Sequence, residues 1–193
     1  MLVEDSYQFT VPLLNSLDYD KKRVILLNAH RRENWGEGMR NIFRTVRRVV
    51  ETNPDTELVY PVHLNPVVKS AAEEILGSTE RVHLISPLDY APFANLMARS
   101  YLILTDSGGI QEEAPALGKP VLVLRKETER PEAVEAGTVK SAGVDEDNIV
   151  QLTQMLLNDQ AEYNRMARAV NPYGDGRAAM RIVAAIKANM ATA

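Results

Sequence analysis

The chain has 193 residues, of which 45% are hydrophobic, and a formal net charge of −4. This length fits one domain with a real core. The excess of acidic over basic residues argues against a general nucleic-acid binder. The absence of cysteine excludes disulfides, thiolate zinc sites and a cysteine nucleophile. No apolar run approaches the roughly 20 residues that cross a bilayer, and the acidic amino terminus is unlike a signal peptide, so we expect a cytoplasmic protein without a membrane segment.

Residues 1–20 carry little periodic pattern. Within them, residues 11–14 (Val-Pro-Leu-Leu) suit either a short helix start or an extended arm. We predict that residues 1–20 form a lead-in arm rather than an element of the core, and that residues 21–193 form a single domain.

The predicted domain begins with a strand, a polar loop and a helix. The apolar run at residues 24–27 predicts a strand that is buried on both faces, as in parallel sheets. The loop at residues 30–34 (His-Arg-Arg-Glu-Asn) follows this strand. Apolar residues at helical spacing over residues 39–50 predict a helix that ends before Pro54.

The alternation of strand and helix continues along the chain. Further strands are predicted at residues 58–62, 81–85, 101–104 and 121–124, with an edge strand at residues 138–140. Three final helices are predicted at residues 145–157, 160–169 and 176–189, and the inner face of the last is marked by Ile182, Val183 and Ile186. This alternation predicts an α/β fold with a Rossmann-like, doubly wound parallel sheet covered by helices.

Polar segments fall at the carboxyl ends of these strands, where doubly wound sheets bind their ligands. The His30 loop follows the first strand and His63 follows the second. Ser107 follows the fourth strand, and Arg130 lies in the loop after the fifth. Their common location predicts a single site.

The segment Ser107-Gly108-Gly109 joins a strand to a helix and suits an anion. A helix start offers unpaired N–H groups and partial positive charge, and glycines let a phosphate approach the backbone. Glu112 and Glu113 follow one turn later and can accept hydrogen bonds from a sugar diol. The alternatives are a tight turn without a ligand, and acids that only complement the helix dipole.

Other candidates also have structural alternatives. His30 stands beside two arginines, which should disfavour its charged form and leave a neutral base, or an acid toward a leaving phosphate. Arg130, just before a predicted helix, suits a phosphate. For His63 the alternative is a turn hydrogen bond, and for Phe93 it is core packing. The three histidines lack metal-ligand spacing.

Together these motifs resemble the non-hydrolysing UDP-N-acetylglucosamine 2-epimerases. The resemblance extends from about residue 21 onward and rests on motifs at residues 30–34, 60–66, 105–114, 118–121, 128–132 and 171–176. It implies a GT-B architecture, in which two Rossmann-like domains face each other across a cleft. It also implies that this chain is the carboxy-terminal domain, and that the amino-terminal domain with the catalytic carboxylates has no counterpart in it.

The resemblance implies an enzyme that interconverts UDP-GlcNAc and UDP-ManNAc, for cell-surface polysaccharide synthesis. A proton leaves C2 while UDP leaves C1, giving 2-acetamidoglucal, and UDP then adds back with a proton on the opposite face. No nicotinamide, metal or other cofactor is implied. The implied partners are UDP-GlcNAc or UDP, the amino-terminal domain and a second copy in a full-length homodimer. Alone, the chain is expected to bind UDP weakly and not to epimerise.

The resemblance also implies roles for individual residues. His30 matches the catalytic-site histidine, on the diphosphate side of the elimination. Ser107, Gly108 and Gly109 match the diphosphate contacts. Glu113 matches the carboxylate that binds the ribose.

Further positions match the nucleotide and a regulatory site. Arg130 matches a phosphate or sugar contact, and Phe93 matches a uridine contact. Arg31 and His63 match positions that bind a second, regulatory UDP-GlcNAc. The chain departs from the family at Leu88, where a glutamine often lies near the uracil, so the main chain must hold more of the base.

Two other functions fit parts of the pattern. Residues 113–120 match the Glu-Ala-x-x-x-Gly-x-Pro pattern of GT-B glycosyltransferases, so the chain also fits the donor-binding half of an enzyme that uses a UDP-sugar. The loop at residues 30–34 argues against that alternative. A stand-alone binding module without an enzymatic role is the third possibility.

Overall fold

The fold is built on one parallel sheet of six strands. The computed structural model describes residues 3–174 and 176–191. The strands are β1 Arg23–Asn28, β2 Thr56–Pro61, β3 Val82–Ile85, β4 Leu102–Thr105, β5 Val121–Val123 and β6 Val139–Ser141. Their order across the sheet is β3-β2-β1-β4-β5-β6, so the direction of winding reverses between β1 and β4. The predicted Rossmann-like, doubly wound sheet is confirmed.

Helices cover both faces of this sheet. Within the described residues they are α1 Pro12–Ser16, α2 Glu37–Thr52, α3 Pro66–Leu76, α4 Tyr90–Arg99, α5 Gly108–Glu113, α6 Pro131–Glu135, α7 Glu146–Asn158, α8 Gln160–Ala167 and α9 Ala178–Ala191. Short 3₁₀ turns lie at Arg32–Asn34 and Ala114–Leu117. Each of these described helices is too short or too polar to span a membrane.

The core has one layer on each face of the sheet. Helices α2, α3 and α7 pack on one face, around the buried rings of Phe43 and Tyr60. Helices α4 and α5 pack on the other face. The four central strands β1, β2, β4 and β5 are largely buried on both sides, because the side chains that alternate along them meet one of these two helix layers, whereas the edge strand β3 is half-buried throughout.

The lead-in contributes to the second core layer. Leu14 is 0% exposed and Phe9 is 5% exposed, and both pack with Val24 and Leu26 of β1. The prediction that residues 1–20 add nothing to the core is therefore wrong for these two side chains. They bury apolar side chains of β1 that would otherwise be exposed to solvent. The division of the chain into a lead-in and a single domain stays a prediction.

The last helix differs from the prediction in its packing. Ile182, Val183 and Ile186 were expected on an inner face, but they are 58%, 50% and 53% exposed. Helical spacing identifies an apolar face, but burial also requires a neighbouring surface. Both faces of the sheet are already covered by other helices. The prediction that the apolar face of α9 packs inward is therefore wrong within this domain.

Candidate functional site

The candidate site lies where the strand order reverses. Strands β1 and β4 are neighbours, and Asn28 lies in register with Thr105. The backbone N–H of Asp106 donates to the carbonyl oxygen of Asn28 over 3.1 Å. The loops that follow the two strands therefore leave the sheet side by side, in the kind of crevice where doubly wound folds bind ligands.

The carboxylate of Asp106 joins these two loops. It is 0% exposed and accepts hydrogen bonds from the backbone N–H groups of His30, at 3.0 Å, and Arg31, at 2.8 Å. The side-chain amide of Asn34 donates to the same carboxylate at 3.0 Å. Neither Asp106 nor Asn34 is among the predicted site residues, although Asp106 directly follows a buried strand and Asn34 ends the polar loop at residues 30–34.

His30 lies half-buried between Asp106 and His63. Its ring stacks on the ring of His63, with centroids 5.6 Å apart and planes inclined by 14°. Burial lowers the pKa of His30 below its ordinary value, Asp106 opposes this shift, and His63 and Arg31 lower the pKa further. The predicted preference for the neutral form is confirmed, but burial is its main cause rather than the neighbouring arginines.

A pocket of about 240 Å³ opens beside His30. Its walls are formed by Asn28, Ala29, His30, Pro61, His63, Pro87, Leu88 and Phe93. Phe93 also packs against the core, and Nδ1 of His63 accepts a hydrogen bond from the backbone N–H of Asn65 at 3.1 Å. The structural alternatives for Phe93 and His63 therefore hold, and both side chains also face the pocket.

Two guanidinium groups converge on the start of α5. A β-carbon placed on Gly108 would lie 3.7 Å from Nη2 of Arg31 and 3.8 Å from Nη2 of Arg130. The backbone N–H of Ser107 donates to Oγ1 of Thr105 at 3.0 Å, which holds the turn before the helix. Two arginines at a helix start make this a place that favours an anion.

The two acids of α5 have different partners. Nε of Arg130 donates to Glu112 at 2.5 Å, and this bond raises the pKa of Arg130 above its ordinary value. Glu113 instead accepts a hydrogen bond from the hydroxyl of Tyr90 at 3.2 Å. Glu112 is thus paired with the cation of Arg130, whereas Glu113 contacts a neutral hydroxyl. Gly109, on the same helix, is exposed.

Arg125 ties the His30 loop to the loop that carries Arg130. Its side chain is 7% exposed, and its guanidinium donates to Glu33 at 2.6 Å and to Glu129 at 3.3 Å. These pairs raise the pKa of Arg125 above its ordinary value. The two cationic segments are therefore held in a fixed relation by a buried cation between them.

The converging groups suit an anionic ligand rather than a metal ion. Over residues 3–174 and 176–191, the structure holds no group of three or more His, Cys, Asp or Glu side chains placed to bind a metal. The groups that do converge are two arginines, a helix start and one histidine. They can bind a phosphate group and exchange a proton beside it.

Comparison with known proteins gives a consistent match. The sequence profile described as UDP-N-acetylglucosamine 2-epimerase matches residues 3–187. The UDP-N-acetylglucosamine 2-epimerase of Bacillus subtilis is 59% identical over 181 residues, which cover 94% of this chain and 47% of that protein. The chain spans about half the length of the curated relatives it matches.

Solved structures give the same match. A Listeria monocytogenes structure assigned as a UDP-N-acetylglucosamine 2-epimerase is 51% identical, with a TM-score of 0.92, and the match covers 100% of this chain and 50% of that one. The Staphylococcus aureus MnaA structure with UDP is 51% identical, with a TM-score of 0.90, covering 98% of this chain and 51% of that one. The carboxy-terminal domain of a Francisella tularensis glycosyltransferase, at 14% identity and a TM-score of 0.59, shares the fold.

Proposed function

The chain belongs to the UDP-N-acetylglucosamine 2-epimerase family, and from this premise we propose that it binds the UDP portion of UDP-GlcNAc within a two-domain enzyme that forms UDP-ManNAc. The observation that carries the proposal is the convergence of Arg31 and Arg130 on Gly108, next to His30. A diphosphate needs such a concentration of positive charge. By "the two-domain enzyme" we mean this chain preceded by the family's amino-terminal half.

The nucleotide is proposed to lie across the ends of β1 and β4. Its diphosphate contacts Ser107, Gly108 and Gly109 with Arg130, and its uridine contacts Phe93. Glu113 accepts hydrogen bonds from the ribose hydroxyls. The ion pair between Glu112 and Arg130 supports this choice, because it leaves Glu113 as the acid with a neutral partner.

The proposed chemistry is elimination and re-addition of UDP. The C2 proton is taken by a base while the C1–O bond breaks, UDP leaves with the bonding electron pair, and 2-acetamidoglucal forms. His30 serves the diphosphate end, where it donates a proton to the departing phosphate oxygen and recovers it on re-addition. Its lowered pKa favours this role, because protonated His30 is then a stronger acid than an ordinary histidine.

The remaining parts of the proposal concern the whole protein. The base at C2 is proposed to be a carboxylate of the amino-terminal half, and the full-length enzyme is proposed to be a cytoplasmic homodimer. Arg31, which borders the proposed diphosphate, is also proposed to contact a second, regulatory UDP-GlcNAc together with His63. The stacking of His63 on His30 supports a link between that site and the catalytic histidine.

Calorimetry of the 193-residue chain with UDP tests the proposed nucleotide site. We expect measurable but weak binding, and no formation of UDP-ManNAc from UDP-GlcNAc by the chain alone, because one wall of a cleft supplies only part of the contacts. Glu113→Gln should weaken UDP binding by about tenfold, the equivalent of ~1.4 kcal/mol, because the ribose loses a charged acceptor.

Glu112→Gln is the matched control for this experiment. It removes an acid that neutralises Arg130, so UDP binding should stay equal or become tighter. An unchanged dissociation constant for Glu113→Gln, or a larger loss for Glu112→Gln, would contradict the assigned ribose contact. Turnover by the chain alone would contradict the need for the amino-terminal half.

A further inference from the structure

The two oxygens of the Asp106 carboxylate are used unequally. Oδ2 accepts hydrogen bonds from the backbone N–H of His30 at 3.0 Å, the backbone N–H of Arg31 at 2.8 Å and the amide of Asn34 at 3.0 Å. Among the described residues, Oδ1 accepts from one group, the same N–H of His30, at 3.1 Å. Because a carboxylate oxygen has two lone pairs, Oδ1 keeps capacity for a further donor.

The group that faces this spare capacity is the imidazole of His30. Nδ1 of His30 lies 3.6 Å from Oδ1 of Asp106, slightly beyond hydrogen-bonding distance. A change of about 0.4 Å in this separation would bring the two atoms within hydrogen-bonding distance. His63, whose ring stacks on that of His30, is itself oriented by the hydrogen bond from Asn65 to its Nδ1.

We propose that Asp106 is the positioning residue for His30: it fixes the backbone at His30 and holds the proton of the neutral imidazole on Nδ1. Nε2 of His30 is then the nitrogen that gains a proton in the charged ring, gives it to the departing phosphate oxygen and recovers it on re-addition. Asp106 is 0% exposed, so it acts through His30 and does not touch the substrate. The consequence for turnover rests on the proposed role of His30, whereas the placement of the proton does not.

The charged groups around His30 predict how the ring responds when the carboxylate is neutralised. Asp106 favours the charged ring, whereas His63 and Arg31 disfavour it. Asp106→Asn removes the first influence and keeps the other two, so the pKa of His30 should fall further. The new side-chain amide also presents an N–H donor to Nδ1, so the proton of the neutral ring should move to Nε2.

NMR of the chain labelled with ¹⁵N-histidine tests this inference, because long-range proton–nitrogen correlations report the tautomer of each ring. The unaltered chain should show His30 with its proton on Nδ1 at pH values above its pKa. Asp106→Asn should show the proton on Nε2 and a lower pKa. In the two-domain enzyme, the same variant should lower kcat by about 10²-fold or more, with little change in UDP affinity.

Asn34→Ala is the control that separates positioning from stability. It removes one donor to the carboxylate and destabilises the same loop, but it leaves the carboxylate facing Nδ1, so the tautomer of His30 should not change. A proton on Nε2 of His30 in the unaltered chain would overturn the inference, even where Asp106→Asn does not fold. An Asn34→Ala variant that moves the proton as far as Asp106→Asn would also overturn it.

These outcomes are distinguishable from a failure of the proposed function. If the two-domain enzyme does not epimerise UDP-GlcNAc but His30 carries its proton on Nδ1, the function is wrong and the positioning role of Asp106 stands. If epimerisation is observed and the proton lies on Nε2, the function stands and the positioning role is wrong.

Discussion

Replacing His30 with alanine in the two-domain enzyme should lower kcat by about 10²- to 10⁴-fold, the usual contribution of a general acid or base. The imidazole is a titratable group beside the convergence of Arg31 and Arg130 on Gly108. The dissociation constant for UDP should change by only a few-fold, because the arginines and the helix start remain. Steady-state kinetics together with calorimetry measure the two quantities separately.

His83→Ala is the matched control for this substitution. His83 lies on β3 and contacts Glu57 at 2.5 Å, away from the proposed nucleotide. Its replacement should leave kcat unchanged. Equal losses of turnover and of UDP affinity in His30→Ala would show that His30 contributes to nucleotide binding rather than to proton transfer.

The second large effect is expected on stability. Leu14→Ala should reduce the free energy of unfolding of the chain by about 2–5 kcal/mol, the range for a fully buried leucine. Leu14 is 0% exposed and packs on β1 with Phe9. Urea denaturation followed by circular dichroism measures the change, and a constant slope against urea shows that the unfolding reaction is the same.

Leu64→Ala provides the comparison, because Leu64 is 75% exposed. Its substitution should alter the free energy of unfolding by less than about 0.5 kcal/mol. If Leu14→Ala is as mild as Leu64→Ala, helix α1 does not belong to the folded domain, and the original prediction of a peripheral lead-in is correct.

The regular part of the fold is predictable from the sequence because its signals are local. Apolar runs such as residues 24–27 and the helical spacing over residues 39–50 are set by burial within a few residues. The errors concern tertiary packing between separate elements, which local sequence patterns do not determine. Leu14 is buried because β1 lies beneath it, and the apolar face of α9 is exposed because other helices already cover the sheet.

The same distinction applies to the site. Its location follows from the rule that ligands bind at the carboxyl ends of parallel strands, and the cationic loops can be read from the sequence. The bonds between the loops cannot, because they join residues such as His30 and Asp106 that lie far apart in the chain. Strand order determines these contacts. It places β4 beside β1, so Asp106, which follows β4, lies next to the loop that follows β1.

Incubation of the two-domain enzyme with UDP-GlcNAc in deuterated water tests the central claim most directly. Proton NMR follows the signal of the hydrogen at C2. Elimination and re-addition of UDP predict that solvent deuterium enters at C2 in both UDP-GlcNAc and UDP-ManNAc. Transfer or release of the sugar with its C2 hydrogen retained would contradict the epimerase assignment and support the donor-binding half of a glycosyltransferase.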